Sequence, residues 1–299
     1  MEILIVVVRY RVPLSESQTI RGLTEAFHEH PELAQEMGVL LWDNSPEALV
    51  DISLPFSAEY RHSGKNQGVS GAYNGAIPVA VEKNVRWMLL LDQDTTVTGP
   101  YVMAMFENAV RLAPQVEIAA IVPTVRVGDL IVSPREARFS THRVYIGEAG
   151  LATGELFAIN SGCLMRVDAL RTIGGFSSEF WLDYSDMYVY HQFFLQGFKV
   201  WRAVEAELQH EMTIMDYDKL MAPWRYRNFI EAEGAFNDLY KTSLENAVQT
   251  LRLLVRTVRQ RFRYKNPEFS RMTWSYLLHR LSAGRKRRLQ QWHQKQRVR

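Results

Sequence analysis

Short apolar runs separated by helical segments place the strongest limit on how this chain can fold. Residues 3–8 form a continuous aliphatic run rich in β-branched side chains, and residues 39–42 and 87–91 form two more apolar runs. Runs of this kind are typical of strands buried on both faces of a parallel sheet. The segments between them have helical character, so strand and helix alternate along the chain. This order predicts a doubly wound α/β sheet.

Acidic residues follow two of these predicted strands directly. Asp43 ends the second run, and Asp92 and Asp94 follow the third. Ligands of open α/β sheets bind in the crevice at the carboxyl ends of the strands, so these carboxylates are expected to share one cleft. Mg²⁺ prefers one or two carboxylates together with phosphate oxygens. Asp92 and Asp94 therefore predict a site for Mg²⁺ or Mn²⁺ and a diphosphate, with a solvated turn as the alternative.

A small-residue segment at 66–75 begins a predicted helix with Asn66, Gly68 and Asn74. Small side chains let a backbone approach a nucleotide, and the free N–H groups at a helix start favour phosphate. The alternative is an ordinary helix start that packs tightly against the sheet.

A second acidic segment lies at 174–186, where Asp183 and Asp186 follow an aromatic, apolar stretch that contains Trp181. Apolar surroundings raise the pKa of a carboxyl group, which suits a general base. Asp is also a common N-cap residue, so the alternative role of Asp186 is to cap the helix that follows. One residue can serve both as a general base and as an N-cap.

The C-terminal part of the chain is strongly basic. Residues 251–299 hold 15 Lys or Arg and one acid, whereas the other 250 residues hold 20 basic and 32 acidic side chains. Apolar residues recur at helical spacing over 248–262, and a second helix is predicted over 272–292. Such an extension suits an anionic membrane surface, with a solvated helical face as the alternative. Nucleic acid is not an expected partner, because no recognition motif accompanies the charge.

The number of cysteines and the hydropathy of the chain indicate the cellular compartment in which the protein is expected. A single cysteine, Cys163, excludes an internal disulfide and fits a reducing environment, and core filling is the expected role of its thiol. No window approaches the roughly 20 apolar residues that cross a bilayer. The protein is therefore expected in the cytoplasm, and a peripheral position on the inner face of the cell membrane is compatible with the basic extension.

The order of the motifs resembles that of the family 2 inverting glycosyltransferases with the GT-A fold. The chain shows, in order, a Val-Val-Val-x-Tyr strand, Asp43-Asn44-Ser45, Asn66-x-Gly68-x-x-x-Ala72-x-Asn74, Leu91-Asp92-x-Asp94, Asn160-Ser161-Gly162, Asp183-Tyr184-x-Asp186, Gln196-Gly197-Phe198 and Leu208-x-His210. The Leu-Asp-Gln-Asp-Thr and Leu-Asp-Tyr-x-Asp motifs, with Tyr226-Arg227-Asn228, are most similar to the bacterial rhamnosyltransferase branch.

The resemblance implies a GT-A domain with a doubly wound mixed sheet over residues 1–230 and a helical, basic extension over 231–299. It also implies roles for the matching residues: donor binding by Tyr10, Asp43, Asn66, Gly68, Asn74 and Asp92, acceptor binding by Trp181 and Asp183, proton abstraction by Asp186, and metal binding by Asp94, Asp92 and His210.

The activity implied is inverting transfer of L-rhamnose from dTDP-rhamnose to a glycan, or to a glycan on polyprenyl diphosphate, in bacterial surface polysaccharide (O-antigen) synthesis. Another donor sugar, or an inactive scaffold that binds nucleotide sugars, is the alternative. The scaffold alternative arises because the family's acid and Arg after the base are Tyr188 and Gln192 here. Arg9 and Arg11 likewise replace the Thr and Asn that usually flank Tyr10.

Overall fold

The chain folds into two compact units. The structure, a computed structural model, describes residues 1–50, 52–138, 141–210 and 221–297, with the backbone alone at Arg138, Thr141 and His210. The first unit comprises Met1–Ala137, His142–Ser177 and Ser185–Glu211, and the second comprises Arg138–Thr141, Ser178–Tyr184 and Met212–Arg299. The predicted boundary at residue 230 lies inside a helix, Pro223–Tyr240, that belongs to the second unit.

The strands of the first unit differ in length and in burial. They are β1 (Ile3–Arg9), β2 (Met37–Asp43), β3 (Glu59–His62), β4 (Trp87–Asp92), β5 (Thr95–Thr96), β6 (Ile118–Val127), β7 (Leu130–Ser133), β8 (Arg135–Arg138), β9 (Thr141–Val144), β10 (Gly150–Leu151), β11 (Leu156–Phe157), β12 (Leu164–Arg166) and β13 (Lys199–His210). All seven residues of β1 are buried: the six apolar residues 3–8 as the sequence predicts, and Arg9 beside its partner Asp43.

The main sheet is mixed, with the order β10-β13-β6-β12-β4-β1-β2-β3. Strands β3, β2, β1 and β4 are mutually parallel, and β12 runs antiparallel to both β4 and β6. β13 is parallel to β6, and the last residues of β13 pair with β5. β7 pairs antiparallel with the end of β6. A smaller sheet has the order β11-β8-β9. The short strands β7, β8, β9 and β10 lie between Leu130 and Leu151, and they are added to β6, to the smaller sheet or to β13.

Helices alternate with the strands of the first unit, as predicted. They are α1 (Gln18–Glu29), α2 (Leu33–Glu36), α3 (Gly68–Glu82), α4 (Gly99–Leu112), α5 (Val167–Thr172) and α6 (Ser185–Leu195). Side-chain caps define two of the starts, because Ser17 Oγ accepts the N–H of Ile20 and Thr98 Oγ1 accepts that of Tyr101. Buried residues of α3 pack with those of β1, β4 and α6 in one apolar core.

The second unit is mainly helical over its described residues. Its helices are α7 (Pro223–Tyr240), α8 (Ser243–Arg263), α9 (Glu268–Ser282) and α10 (Arg285–Arg297). The prediction of one helix over 272–292 is wrong, because the chain breaks at Ala283 and Gly284. Ala283 has extended backbone angles and ends α9, and glycine weakens a helix interior through its conformational freedom. None of the described helices is both long enough and apolar enough to cross a membrane.

Candidate active site

Strand pairing brings the predicted acidic residues to one edge of the main sheet. Strand β1 lies between β2 and β4, and all three run parallel. Its register aligns Arg9 with Asp43 on one side and Val8 with Asp92 on the other. The two carboxylates therefore end strands that flank the same neighbour, so the carboxyl edge predicted from the sequence exists in the first unit.

Asp43 is fully buried and is held entirely by protein donors. Its Oδ2 accepts hydrogen bonds from Arg9 Nη1 at 2.6 Å and from the hydroxyl of Tyr60 at 2.8 Å. Its Oδ1 accepts the backbone N–H of Ser45 at 2.9 Å. Burial by itself would raise the pKa of the Asp43 carboxyl, but the bonds from Ser45, Tyr60 and Arg9 together hold that pKa below its ordinary value. Asp43 is thus an ionised anchor between β1, β2 and β3.

This anchor predicts an acid-dependent stability. The ordinary pKa of the Asp43 carboxyl is 3.8 and the folded value is lower, so the ionised group stabilises the fold above pH 3.8. That contribution is lost as the pH falls through the folded pKa. We expect Asp43→Asn to lower the free energy of unfolding at pH 7 by about 2 kcal/mol, and by less near pH 3. Urea unfolding at both pH values measures the difference, and Asp168→Asn on the surface is the control. An equal loss of unfolding free energy at both pH values would contradict the role of Asp43 as an ionised anchor.

Arg9, which departs from the family pattern, acquires a role from this geometry. Besides its bond to Asp43, its guanidinium donates to Ser45 Oγ at 2.9 Å and to the carbonyl of Val12 at 2.7 Å. Ser45 Oγ also accepts the N–H of Arg11 at 2.8 Å. Arg9 and Ser45 together shape the chain that follows β1, and no sequence motif links these two residues.

The Asp92-Gln93-Asp94 turn is fixed by its surroundings. The Asp92 N–H donates to Ser161 Oγ at 2.9 Å, and Asp92 Oδ1 accepts the Tyr73 hydroxyl at 3.3 Å. Burial, together with the charge of Asp92, raises the pKa of Tyr73 far above its ordinary value, so this hydroxyl remains a donor. Asp94 is exposed at the end of the turn.

Gln93 connects this turn to the end of β1. Its side-chain oxygen accepts the N–H of Tyr10 at 2.8 Å, and its amide donates to the Tyr10 carbonyl at 3.3 Å. On the other side of the turn, Thr19 Oγ1 donates to the carbonyls of Asp92 and Thr95. Neither Gln93 nor Thr19 has a role that the sequence predicts; the only signal is the middle position of Gln93 in Asp-Gln-Asp.

His210 is brought to the same turn by the backbone. It is the last residue of β13 and pairs with Thr95, the residue after Asp94. Its side chain lies outside the described residues. Among the side chains that the structure does describe, no group of three or more His, Cys, Asp or Glu could hold a metal ion. The donor types at Asp92, Asp94 and position 210 nevertheless fit a hard divalent ion, because two of them are carboxylates.

The small-residue segment starts α3 beside this edge. Asn66 Oδ1 accepts the N–H of Gly68 at 2.9 Å, and the Asn44 amide, directly after Asp43, donates to the Gly68 carbonyl at 2.9 Å. Gly68 has a φ of 68°, a left-handed conformation that glycine adopts without strain. Six residues further along α3, the Asn74 amide exchanges two hydrogen bonds of 2.8 Å with the backbone of Phe176. Asn74 therefore holds the Gly-Gly-Phe turn that precedes the Asp186 segment.

Asp186 lies in the first turn of α6, and its neighbour ties that helix to α3. Asp186 Oδ1 accepts the N–H of Met187 at 2.8 Å. Ser185 Oγ accepts the hydroxyl of Ser70 at 2.9 Å and the amide of Asn160 at 3.4 Å. The start of α6 is thereby attached to the first turn of α3, which begins beside Asp43.

Cys163 lies beneath this segment and is not a nucleophile. Its thiol is fully buried, and burial, with a smaller contribution from the charge of Asp186, raises its pKa to about 12. The nearby Tyr190 hydroxyl opposes this pKa shift without cancelling it. The thiol is therefore protonated at neutral pH, which agrees with the core-filling role expected from the sequence.

The predicted acceptor residues belong to the second unit. Asp183 Oδ1 accepts a bond from Arg225 Nε at 3.0 Å, and its Oδ2 accepts the amide of Asn228. The indole N–H of Trp181 donates to Asn228 Oδ1 at 3.2 Å. Trp181 and Asp183 are thus joined through one asparagine of α7, which belongs to the Tyr226-Arg227-Asn228 motif.

A mixed α/β sheet with acidic residues at the carboxyl ends of its parallel strands, and a helix that starts beside them, is the arrangement of an α/β protein that binds a ligand at this edge. Residues 15–174 match the family described as glycosyl transferase family 2, which is more than half of the chain. The protein belongs to this family. No curated protein sequence matches the chain.

Solved structures with a similar fold include two glycosyltransferases. TarS 1-349 from S. aureus has a TM-score of 0.51 at 12% identity, over 94% of this chain and 92% of that one. GalNAc-T7, solved with UDP, GalNAc and Mn²⁺, has a TM-score of 0.52 at 11% identity, over 94% of this chain and 57% of that one. The chain spans 44% of a longer TarS structure, with a TM-score of 0.49 and 13% identity. The predicted GT-A fold with a helical C-terminal extension is confirmed.

Proposed function

We propose that this protein transfers a sugar from a nucleotide diphosphate sugar to an acceptor hydroxyl, with inversion at the anomeric carbon. The observation that carries the proposal is the edge formed by β1, β2 and β4, where Asp43 and Asp92 end strands on either side of β1. Helix α3 starts at this edge, and the Ser70–Ser185 bond attaches the segment of Asp186 to it. Membership of glycosyl transferase family 2 supports the same class of reaction.

Each residue of this edge has a proposed task. Asp186 accepts the proton of the acceptor hydroxyl as its oxygen attacks the anomeric carbon from the face opposite the nucleotide. Tyr10, Asp43, Asn66, Gly68, Asn74 and Asp92 form or support the donor site, with Asn74 acting through the backbone of Phe176. One displacement inverts the configuration, so no covalent nucleophile is required.

A divalent metal ion is part of the proposal. Asp94, Asp92 and His210 would hold Mg²⁺ or Mn²⁺, and such an ion supplies positive charge next to the departing diphosphate. The protein groups around them keep the turn rigid: Gln93 is bonded to Tyr10, and the Asp92 N–H is bonded to Ser161. The structure of GalNAc-T7, which contains UDP and Mn²⁺, supports this choice by analogy of fold.

The donor and acceptor are proposed from the motifs. Leu91-Asp92-Gln93-Asp94-Thr95 and Leu182-Asp183-Tyr184-Ser185-Asp186 favour L-rhamnose from dTDP-rhamnose as the donor. The acceptor is a glycan, free or carried on polyprenyl diphosphate, and a lipid carrier would place the reaction at a cytoplasmic membrane face. Transfer assays with a panel of nucleotide sugars test this choice. If the protein turns over a different nucleotide sugar, that sugar replaces dTDP-rhamnose as the proposed donor. If it binds nucleotide sugars without turning any of them over, the inactive-scaffold alternative is favoured.

The proposed metal role predicts the behaviour of Asp94→Ala. We expect donor nucleotide to bind at least tenfold more weakly in the presence of Mn²⁺, because one carboxylate of the metal–diphosphate complex is lost. Without a divalent ion, the variant and the parent protein should bind equally weakly. Titration calorimetry with and without Mn²⁺ measures both values. Asp129→Ala, an exposed acid of the same unit, is the matched control. Unchanged affinity in Asp94→Ala would remove this residue from the metal site.

A further inference from the structure

Helix α8 has its apolar residues on the outside. Leu244, Leu251, Val255, Val258 and Phe262 lie within an arc of roughly 60° on the helix surface, and we call this set the α8 stripe. All five are exposed, from 52% for Val258 to 86% for Phe262. An amphipathic helix of a water-soluble domain normally turns such a stripe toward the core.

The buried side of α8 is mainly polar. Its buried residues are Asn246, Gln249, Leu253 and Gln260, which lie about 180° around the helix from the α8 stripe. Only Leu253 among them is apolar. The distribution of side chains is therefore inverted with respect to an ordinary surface helix.

Specific hydrogen bonds hold α8 in this orientation. Gln260 donates to the Tyr226 hydroxyl at 2.9 Å and accepts from Thr273 Oγ1 at 2.6 Å. Asn246 donates to the Asn237 carbonyl at 2.7 Å, and its oxygen accepts from Arg280 at 3.0 Å. Turning α8 to bury the stripe would break all four bonds and leave buried polar groups without partners. The outward direction of the stripe is thus built into the packing of α7, α8 and α9.

Unpaired cations flank the α8 stripe. Arg252, Arg259 and Arg263 lie along one side of it and Arg261 lies along the other, by helical geometry. None of these four makes an ion pair within the described parts of the chain. Arg256, in contrast, points inward and forms a bidentate pair with Glu233, at 2.6 and 2.7 Å. The charge beside the stripe is therefore available to an external partner.

We propose that the α8 stripe is a docking surface for an anionic membrane. Apolar side chains between arginines match the boundary between acyl chains and anionic headgroups, where a helix lies in the plane of the interface. A second copy of this chain fits less well, because a symmetric contact between two stripes would bring their flanking arginines together. The proposal does not depend on sugar transfer, since it concerns α8 alone. It identifies the face and the residues through which a peripheral position would arise.

Vesicle binding tests the proposal. The parent protein should sediment with vesicles of phosphatidylcholine and phosphatidylglycerol, and much less with pure phosphatidylcholine. Replacing Leu251 and Phe262 by serine should weaken binding at least a hundredfold, because each side chain contributes about tenfold on entering the interface. The matched control replaces Val116 and Ile146 by serine, two exposed apolar residues of the first unit, and should bind as the parent does.

The charge is tested separately. Replacing Arg252, Arg259 and Arg263 by glutamine should weaken binding by about fivefold for each charge, and high salt should reduce this difference. Arg21→Gln with Arg143→Gln is the control. Parent-like binding by the Leu251/Phe262 variant would overturn the proposal. It would also be overturned if that variant changed a dimer into a monomer in sedimentation velocity while vesicle binding was unchanged.

Discussion

We expect Asp186→Asn to reduce sugar transfer by about a thousandfold while donor nucleotide binds with parent-like affinity. The substitution removes the negative charge that we propose accepts the proton and keeps the size of the side chain. The loss should therefore appear in kcat, whereas the proposed donor site around Asp43 and Asp92 should be unaffected.

The structure explains why this variant should remain folded. The bond from the Met187 N–H to Oδ1 of residue 186 needs only a carbonyl-type acceptor, which asparagine provides. The bonds that position the start of α6 are made by Ser185 with Ser70 and Asn160. None of them involves the Asp186 carboxylate, so circular dichroism and the unfolding midpoint should change little.

Initial rates of transfer and calorimetric titration of the donor nucleotide measure the two parts of this prediction. Asp168→Asn makes the same chemical change at an exposed position of α5 and should leave both quantities unchanged. If Asp186→Asn retains parent-like turnover, Asp186 is not the proton acceptor. If it loses donor binding as well, its role is in the donor site.

The second large effect concerns stability. We expect Asp238→Ala to lower the free energy of unfolding of the helical unit by about 3–5 kcal/mol, because it leaves two arginines without their shared acid. Asp238 is 2% exposed and accepts four bonds: from Arg280 at 3.0 and 3.2 Å, and from Arg288 at 2.7 and 2.8 Å. Arg280 is itself buried, so its charge would remain in the interior.

This cluster joins three helices. Asp238 is on α7, Arg280 on α9 and Arg288 on α10, and Arg280 also bonds to Asn246 of α8. The hydrogen bonds with Asp238, followed by its charge, raise the pKa of Arg288 against the effect of burial, so this guanidinium remains ionised. Removing the single acid should therefore loosen α7, α9 and α10 together rather than one helix alone.

Hydrogen exchange followed by mass spectrometry localises the effect, and urea unfolding measures its size. Faster exchange should be confined to α7–α10. Asp168→Ala, which breaks an exposed pair with Arg171, should cost at most about 1 kcal/mol and is the control. A loss of similar size in both variants would show that the Asp238 cluster contributes little to stability.

The common location of Asp43 and Asp92 could be predicted from the sequence, because it depends only on where the strands end. Apolar runs identify β1, β2 and β4, and the residue after each run falls at the same edge because the strands are parallel. The partners of those residues were not predictable in this way. Arg9 and Tyr60 contact Asp43 from the neighbouring strands β1 and β3, and Gln93 is bonded to Tyr10; these partners are far apart in the sequence and meet only through strand pairing and tertiary folding.

In the helical extension, too, some features could be predicted from the sequence and others could not. Its charge and its helical period follow directly from the sequence, but the predicted helix over 272–292 ends early at Ala283. Trp181 and Asp183, placed by their motif in the catalytic domain, lie in the second unit and bond to Asn228 of α7. A motif describes residues that are adjacent in the sequence. The unit to which a residue belongs depends instead on its contacts with residues that are distant in the sequence.

The sequence alone determined the mixed α/β fold, the carboxylates at the strand ends and the membership of a glycosyltransferase family, because apolar periodicity and motif order are local properties of the chain. Only the tertiary structure decided which way the amphipathic helix α8 faces. Periodicity defines an apolar stripe, but the bonds of Gln260 and Asn246 to α7 and α9 turn that stripe outward. Satisfying buried polar groups takes precedence there over burying apolar side chains, and this leaves a surface suited to a membrane.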